Sequence, residues 1–167
     1  MDFSELTDQQ ILDQYAGAAE KITKALAGLT EVQFDLRRAD DAWNIRQIAH
    51  HIVDSDVLVQ TLIMAALGNS GCNYDQTWYP TDNTWAATLA YDKRQLAPAL
   101  DLYKTSHVQL LMLLQQLPDS LDRYVNVKIE KNPQWQKITV RHLLLSRLHH
   151  ASHHMQQIEE TRAQHNI

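Results

Sequence analysis

The chain has 167 residues, enough for one well-cored domain and short for two. Fifteen basic against twenty acidic residues give a formal net charge of −5 with neutral histidines and no basic stripe, which argues against nucleic acid as a partner. Four Gly, four Pro and long apolar runs at helical spacing favour an all-α protein. The single Cys72 allows no intrachain disulfide, the start Met1-Asp2-Phe3-Ser4-Glu5 does not read as a signal peptide, and no apolar run reads as a membrane span. A soluble cytoplasmic protein without a membrane partner is expected.

Thr7, followed three residues later by Gln10, makes a capping box. Ile11, Leu12, Tyr15, Ala18, Ala19, Ile22 and Leu26 then continue at helical spacing to Gly28, which predicts a first helix over about 8–28. Residues 31–42 read as a connecting loop with at most one helical turn, from which Phe34 and Leu36 tuck into the core. Asn44 and Gln47 repeat the start signal, and the second helix runs to Gly68 with Ile45, Ile48, Ile52, Val59, Leu62, Ile63 and Ala66 on its buried side. Residues 69–84 form a loop rich in aromatics, Tyr74, Trp78 and Tyr79, with Trp85 just beyond. Such rings either cap the core or wall a pocket.

A third helix is predicted from around Tyr91 to Leu117, with Pro98 kinking it or dividing off a short lead-in. His107 lies mid-stripe and is therefore buried, as a core hydrogen-bonder or as a site residue. Tyr124–Ile129 alternates polar and apolar, Asn132-Pro133 marks a turn and Trp135–Ile138 returns, so a small β-hairpin or extended excursion is expected before the last helix. Thr139 caps that helix, which runs to about Arg162. The whole, residues 1–167, reads as a single domain, an antiparallel four-helix bundle.

The last helix carries the densest chemistry, Leu148-His149-His150-Ala151-Ser152-His153-His154-Met155. Histidines four residues apart stack on one helix face, as two ligands of one metal ion must. At about 100° per residue, Val140, Leu143, Leu144, Leu148, Ala151, Met155 and Ile158 gather on one side, with His150 and His154 on its shoulder and His149 and His153 turned to solvent. The same rule on the second helix places His51 and Ser55 on the border of the apolar face and His50 opposite it. Histidines on a polar face are the plain alternative, but a pair at i, i+4 beside an apolar stripe, with a third from another helix, is what a three-histidine metal site requires.

Three neutral imidazoles leave a divalent ion with open positions, as in catalytic zinc sites. Zinc and nickel suit such ligands and iron is admitted. Water at such a site becomes hydroxide near neutral pH, and a thiol becomes thiolate. Asp54, one turn after His51, is a candidate base or orienting group, although the wheel turns it outward. Arg46 and Arg141 are candidates to meet an anion, with surface placement the default. Gln156, Gln157 and Glu160 read as surface residues, and Cys72 lacks a motif that would mark it as a nucleophile.

The segments Trp43-Asn44-Ile45-Arg46-Gln47-Ile48-Ala49-His50-His51-Ile52-Val53-Asp54-Ser55, Tyr74-Asp75-Gln76-Thr77-Trp78 and His150-Ala151-Ser152-His153-His154-Met155-Gln156-Gln157-Ile158 resemble, in order and spacing, the DinB/YfiT-like superfamily. The resemblance implies a four-helix bundle, often a homodimer, with a metal held at His51, His150 and His154. Members are described as metal-dependent hydrolases, and several relatives are thiol transferases or isomerases using bacillithiol, mycothiol or glutathione. The YfiT-like branch, similar to the bacillithiol transferases, implies addition of a low-molecular-weight thiol to a small electrophilic substrate. Trp43, Tyr74, Trp78 and His107 are the candidate pocket residues, and His107, like Asp54, is a candidate in catalysis. A metal-dependent hydrolase and a non-catalytic, stress-induced metal- or ligand-binding protein are the competing readings.

Overall fold

Three helices start where a polar side chain closes the first turn. Thr7 Oγ1 accepts from Gln10 N at 3.3 Å while Gln10 Oε1 accepts from Thr7 N at 2.9 Å; Asn44 and Gln47 repeat the exchange at 2.8 and 3.0 Å; Thr139 Oγ1 accepts from His142 N at 3.2 Å. The computed structural model describes residues 5–79 and 84–167; the opening residues 1–4, and 80–83 within the expected aromatic loop, lie outside that range. The helices are α1 (Asp8–Ala16), α2 (Ala18–Leu26), α3 (Ile45–Gly68), α4 (Thr84–Thr88), α5 (Leu96–Gln116) and α6 (Val140–His165), and the strands are β1 (Asn73–Gln76), β2 (Tyr124–Ile129) and β3 (Asn132–Thr139). The connection before α3 carries a single 3-10 turn, Gln33–Asp35.

The predicted first helix is two. Gly17 divides it, because glycine weakens a helix interior by about 1 kcal/mol and the break releases the Tyr15 carbonyl, which faces His107 Nδ1 at 3.2 Å. Pro98 neither kinks α5 nor divides it. It occupies the first turn, where a backbone N–H has no helical partner, and residues Tyr91–Lys93 form a separate 3-10 turn. The hairpin expected before α6 is present as β2 and β3, paired antiparallel with Tyr124 opposite Thr139. β1 joins it in parallel, Tyr74 opposite Val127, so the order is β1-β2-β3. β1 falls within the expected loop, since its four residues are mostly polar and only alternate ones are partly covered.

α3 packs on α5 and α6, and α1 and α2 pack on the same two helices. One apolar cluster gathers Ile11, Ile63, Leu114, Val125 and Leu144, and a second gathers Ile22, Ile45, Ile52, Tyr103 and Ile158. The first half of α3 therefore shares a cluster with the first half of α5 and the second half of α6. So α3 and α6 run in opposite directions, whereas α3 and α5 run in the same direction. The expected all-antiparallel arrangement fails there because residues 69–95 lead the chain back along the bundle before α5 begins. α3 is also long and apolar enough by length and composition to cross a membrane, contrary to expectation, but its apolar side is spent on α5 and α6 as a core helix.

Between the two clusters lies a polar level. Asp56 Oδ2 accepts from Gln60 Nε2 at 2.7 Å and meets His107 Nε2 at 2.9 Å, and the Gln60 amide also approaches the Tyr15 hydroxyl and Ser106. His107 has an oxygen facing each ring nitrogen, the Tyr15 carbonyl at Nδ1 and the Asp56 carboxylate at Nε2. Tyr15 stacks on the ring at 4.0 Å between centroids. The Asp56→Ala variant strands these donors in the core and is expected to lose about 2–4 kcal/mol of unfolding free energy in a urea titration, while its metal content stays that of the wild type.

Candidate metal centre

α3 brings His51, and α6 brings His150 and His154, to one place on their shared contact. The ligating nitrogens of the three lie within 4.8 Å of one another. His51 Nε2 and His150 Nε2 stand 3.0 Å apart, near the roughly 3.0–3.4 Å expected of two nitrogens each about 2.0–2.1 Å from one ion. His154 Nδ1–H donates to Gln157 Oε1 at 2.9 Å, which fixes the tautomer and leaves Nε2 free as a donor to a metal. The Gln157 amide in turn donates to His153 Nε2 at 3.0 Å. Trp43 lies beside the cluster, its ring 4.7 Å from His51 and 6.1 Å from His154 between centroids.

Burial is the first cause that keeps these rings uncharged. It lowers the His51 pKa to about 4, helped by His154 and Arg147, and the His150 pKa to about 2, helped by Arg147 and the other rings. His154 is lowered too, again first by burial, with its bond to Gln157 opposing. At pH 7 all three present lone pairs, the state a divalent ion needs. Among the described residues no carboxylate joins the cluster. Asp54 is held by Arg94 at 2.7 Å and Asp56 by His107.

A cleft of about 260 Å³ opens beside His51 and His150, walled by Leu58, Val59, Ile129, Tyr79, Ser55, Gln76 and Arg147. Burial pushes the Tyr79 phenol above its ordinary pKa. Arg147 precedes His150 by one turn on the same face of α6. Its Nε is enclosed without a hydrogen-bond partner, and burial pulls its pKa below the usual range.

The candidates from sequence fall unevenly. Trp43 is at the cluster. Tyr74 sits in β1, its hydroxyl 3.0 Å from Thr61 Oγ1, and is not in the cleft wall. Trp78 is 57% exposed and leans on Tyr79 and Trp85, so that Tyr79 is the aromatic facing the cleft. His107 belongs to the polar level in the core, and Asp54 to an ion pair; neither touches the cluster. Arg46 is buried and binds Glu31 and Asp35 at 3.0 Å each, which pins the 31–42 connection on α3. Arg141 pairs with Asp8. Cys72 Sγ faces the Ala65 carbonyl. His50, placed towards solvent by the wheel, is fully buried and bonds the Arg94 carbonyl at 3.2 Å under Tyr91. Gln157, expected from the sequence to be a surface residue, bonds His154, and Arg147, which no sequence motif marks, lines the cleft; each stands three residues from a cluster histidine, on its face of the helix.

A helical frame with three neutral imidazoles beside a cleft defines the class: a bundle with a candidate site for one divalent metal. A family model described as the DinB superfamily matches residues 14–158, and the chain belongs to that superfamily. Its fold is similar to that of YfiT from Bacillus subtilis, described as a probable metal-dependent hydrolase with an unusual four-helix bundle topology. The likeness covers 99% of this chain and 93% of that one, with a TM-score of 0.81 and 19% identity. No curated protein matches the chain.

Two outcomes follow from the geometry. Replacing Gln157 with Ala frees His154 to turn and is expected to weaken zinc binding about 10–100-fold in a competition with a chromogenic chelator. In chelator-treated protein, His51 takes up a proton at about 6.5 when unfolded but only at about 4 when folded. The unfolded chain thus binds more protons in that window, and stability present above pH 6.5 is lost as pH falls towards 4. Melting temperature should drop between pH 7 and pH 5, and drop less in His51→Asn.

Proposed function

We propose that the chain is a metal-dependent enzyme in which His51, His150 and His154 hold one divalent ion, zinc or nickel by preference and iron as a third choice, and join a low-molecular-weight thiol to an electrophilic small molecule. The observation that carries this reading is the set of three imidazoles kept neutral, joined by no carboxylate among the described residues; two of the three, His51 and His150, line a cleft sized for a small organic molecule. When bound, the ion supplies Lewis acidity that favours the deprotonated form of a thiol or a water at its open side.

The chain's own residues do the rest. Gln157 holds His154 in the ligating tautomer, Trp43 covers the cluster beside His51 and His154, and Leu58, Val59 and Ile129 give the electrophile an apolar wall. The thiolate sulfur forms the new S–C bond, and the electrophile's leaving group departs with the bonding pair or, in an epoxide, the ring oxygen takes it and then a proton. Bacillithiol is the first candidate thiol, with mycothiol and glutathione beside it. Pairing of two chains as a homodimer belongs to the same proposal and is checked by sedimentation.

The second reading is a hydrolase, in which water replaces the thiol. The description of YfiT favours it. In a non-catalytic binding protein, by contrast, metal removal would unfold the bundle or no turnover would be found.

Plasma mass spectrometry of the purified chain should find near one metal per chain, lost in His51→Ala and His154→Ala with the helical circular dichroism retained. The loaded protein is then given monochlorobimane or an epoxide, with and without bacillithiol, mycothiol or glutathione. Turnover only with a thiol is the expected result; turnover without one transfers the assignment to the hydrolase, and no metal after reconstitution with zinc and nickel removes both.

A further inference from the structure

The cleft wall holds a guanidinium that, among the described residues, no carboxylate bonds. The cluster's imidazoles are neutral, so they bring no negative charge to the site. Of the acidic side chains near it, Asp54 is taken by Arg94 at 2.7 Å, and Asp56, whose carboxylate acts on Arg147 through space without bonding it, meets His107 and Gln60 instead. Among the described residues Arg147 is the only charged side chain in the cleft wall. It makes no ion pair among those found in the described residues; its guanidinium reaches only the Ser146 hydroxyl at 3.3 Å, and its Nε is enclosed with no partner. Other buried or half-buried arginines bond an acid or backbone carbonyls: Arg46 meets Glu31 and Asp35, Arg94 meets Asp54, and Arg162 meets the Ala25 and Ala27 carbonyls. A partly buried guanidinium left with donors to spare is costly unless an anion meets it.

We infer that Arg147 is the anchor for a carboxylate on the small molecule that enters the cleft, so that the substrate or cosubstrate is an organic acid whose opposite end reaches the three histidines. Three observations fix the class. The guanidinium fork matches a carboxylate in pairs of N–H···O bonds. Arg147 stands one turn from His150 on the same helix face, so one compact molecule spans both. The wall between them is partly apolar, Leu58, Val59 and Ile129, and so accepts a carbon chain rather than a bare ion. A phosphate, with two charges and more acceptor oxygens, would call for further cationic side chains or free backbone donors, and among the described residues Arg147 is the one such side chain in the wall. The inference deepens the proposed function and rests on its placing the reaction in this cleft, though not on the identity of the metal.

The test compares 3-mercaptopropionate with its uncharged amide, and with methyl phosphate, by titration calorimetry at pH 7. It uses zinc-loaded and chelator-treated wild type, Arg147→Gln and Arg147→Lys, each checked for zinc content and helical circular dichroism. The acid is expected to bind wild type at least about tenfold more tightly than the amide, a preference that falls to near unity in Arg147→Gln. Arg147→Lys keeps the charge but loses the fork, so it should retain an intermediate preference, and it stands in should Arg147→Gln fail to fold.

Equal binding of acid and amide by wild type, or a preference that survives in both variants, overturns the inference. So does methyl phosphate binding more tightly than the acid. A chain that takes up no zinc but keeps an Arg147-dependent preference for the acid would sink the metal reading and leave the carboxylate anchor standing.

Discussion

The constraint on which this structure turns is the polar level that crosses the bundle between its two apolar clusters. Every buried donor there must find an acceptor inside the protein, since water is excluded. Asp56 and Gln60 come from α3, Ser106 and His107 from α5, and the Tyr15 hydroxyl and carbonyl from the end of α1. Three features answer to this one requirement. α3 and α5 run in the same direction, which sets Asp56 level with His107. The break at Gly17 frees a carbonyl for the second ring nitrogen. The His107 ring, with an oxygen at each nitrogen, ties α5 to both α3 and α1.

The three-histidine cluster lies where α6 faces α3, and obeys a different rule. Its rings are half-buried and held neutral, first by desolvation and then by one another and Arg147. Neutral rings pointing lone pairs at a common point repel weakly and gain nothing from folding. Their closeness is imposed by the packing of α3 on α6. What α3 and α6 gain by burying Ile52, Leu144, Leu148 and Ile158 holds the cluster together.

Much of this was legible in the sequence because it is local. Thr7–Gln10, Asn44–Gln47 and Thr139 each wrote a helix start, and the apolar stripes singled out His51, His150 and His154, the three that the fold brings together. The rest depends on what lies across from a helix, which one wheel cannot show. α3 has neighbours on more than one side, so His50 and Asp54, outward by the wheel, meet the 91–94 segment instead. The direction of α5 depends on how the long connection from 69 to 95 travels. Gln157 and Arg147 sit at spacings that could have been read, but Gln and Arg on a helix are ordinary surface residues until a neighbour gives them a task.

The polar groups between the helices thus fall into two halves with opposite chemistry. In the inner half donors and acceptors match, and the group is closed to any guest. In the outer half they do not: the histidines offer lone pairs that only a cation or a proton can use, and Arg147 offers N–H groups that only an acceptor can use. A guest complementary to both is a cation together with an anion joined through one small molecule, and no neutral apolar ligand satisfies either side. Altering the inner half therefore costs stability first, and altering the outer half costs binding first. That separation is what a site requires if it is to change its substrate without losing its fold.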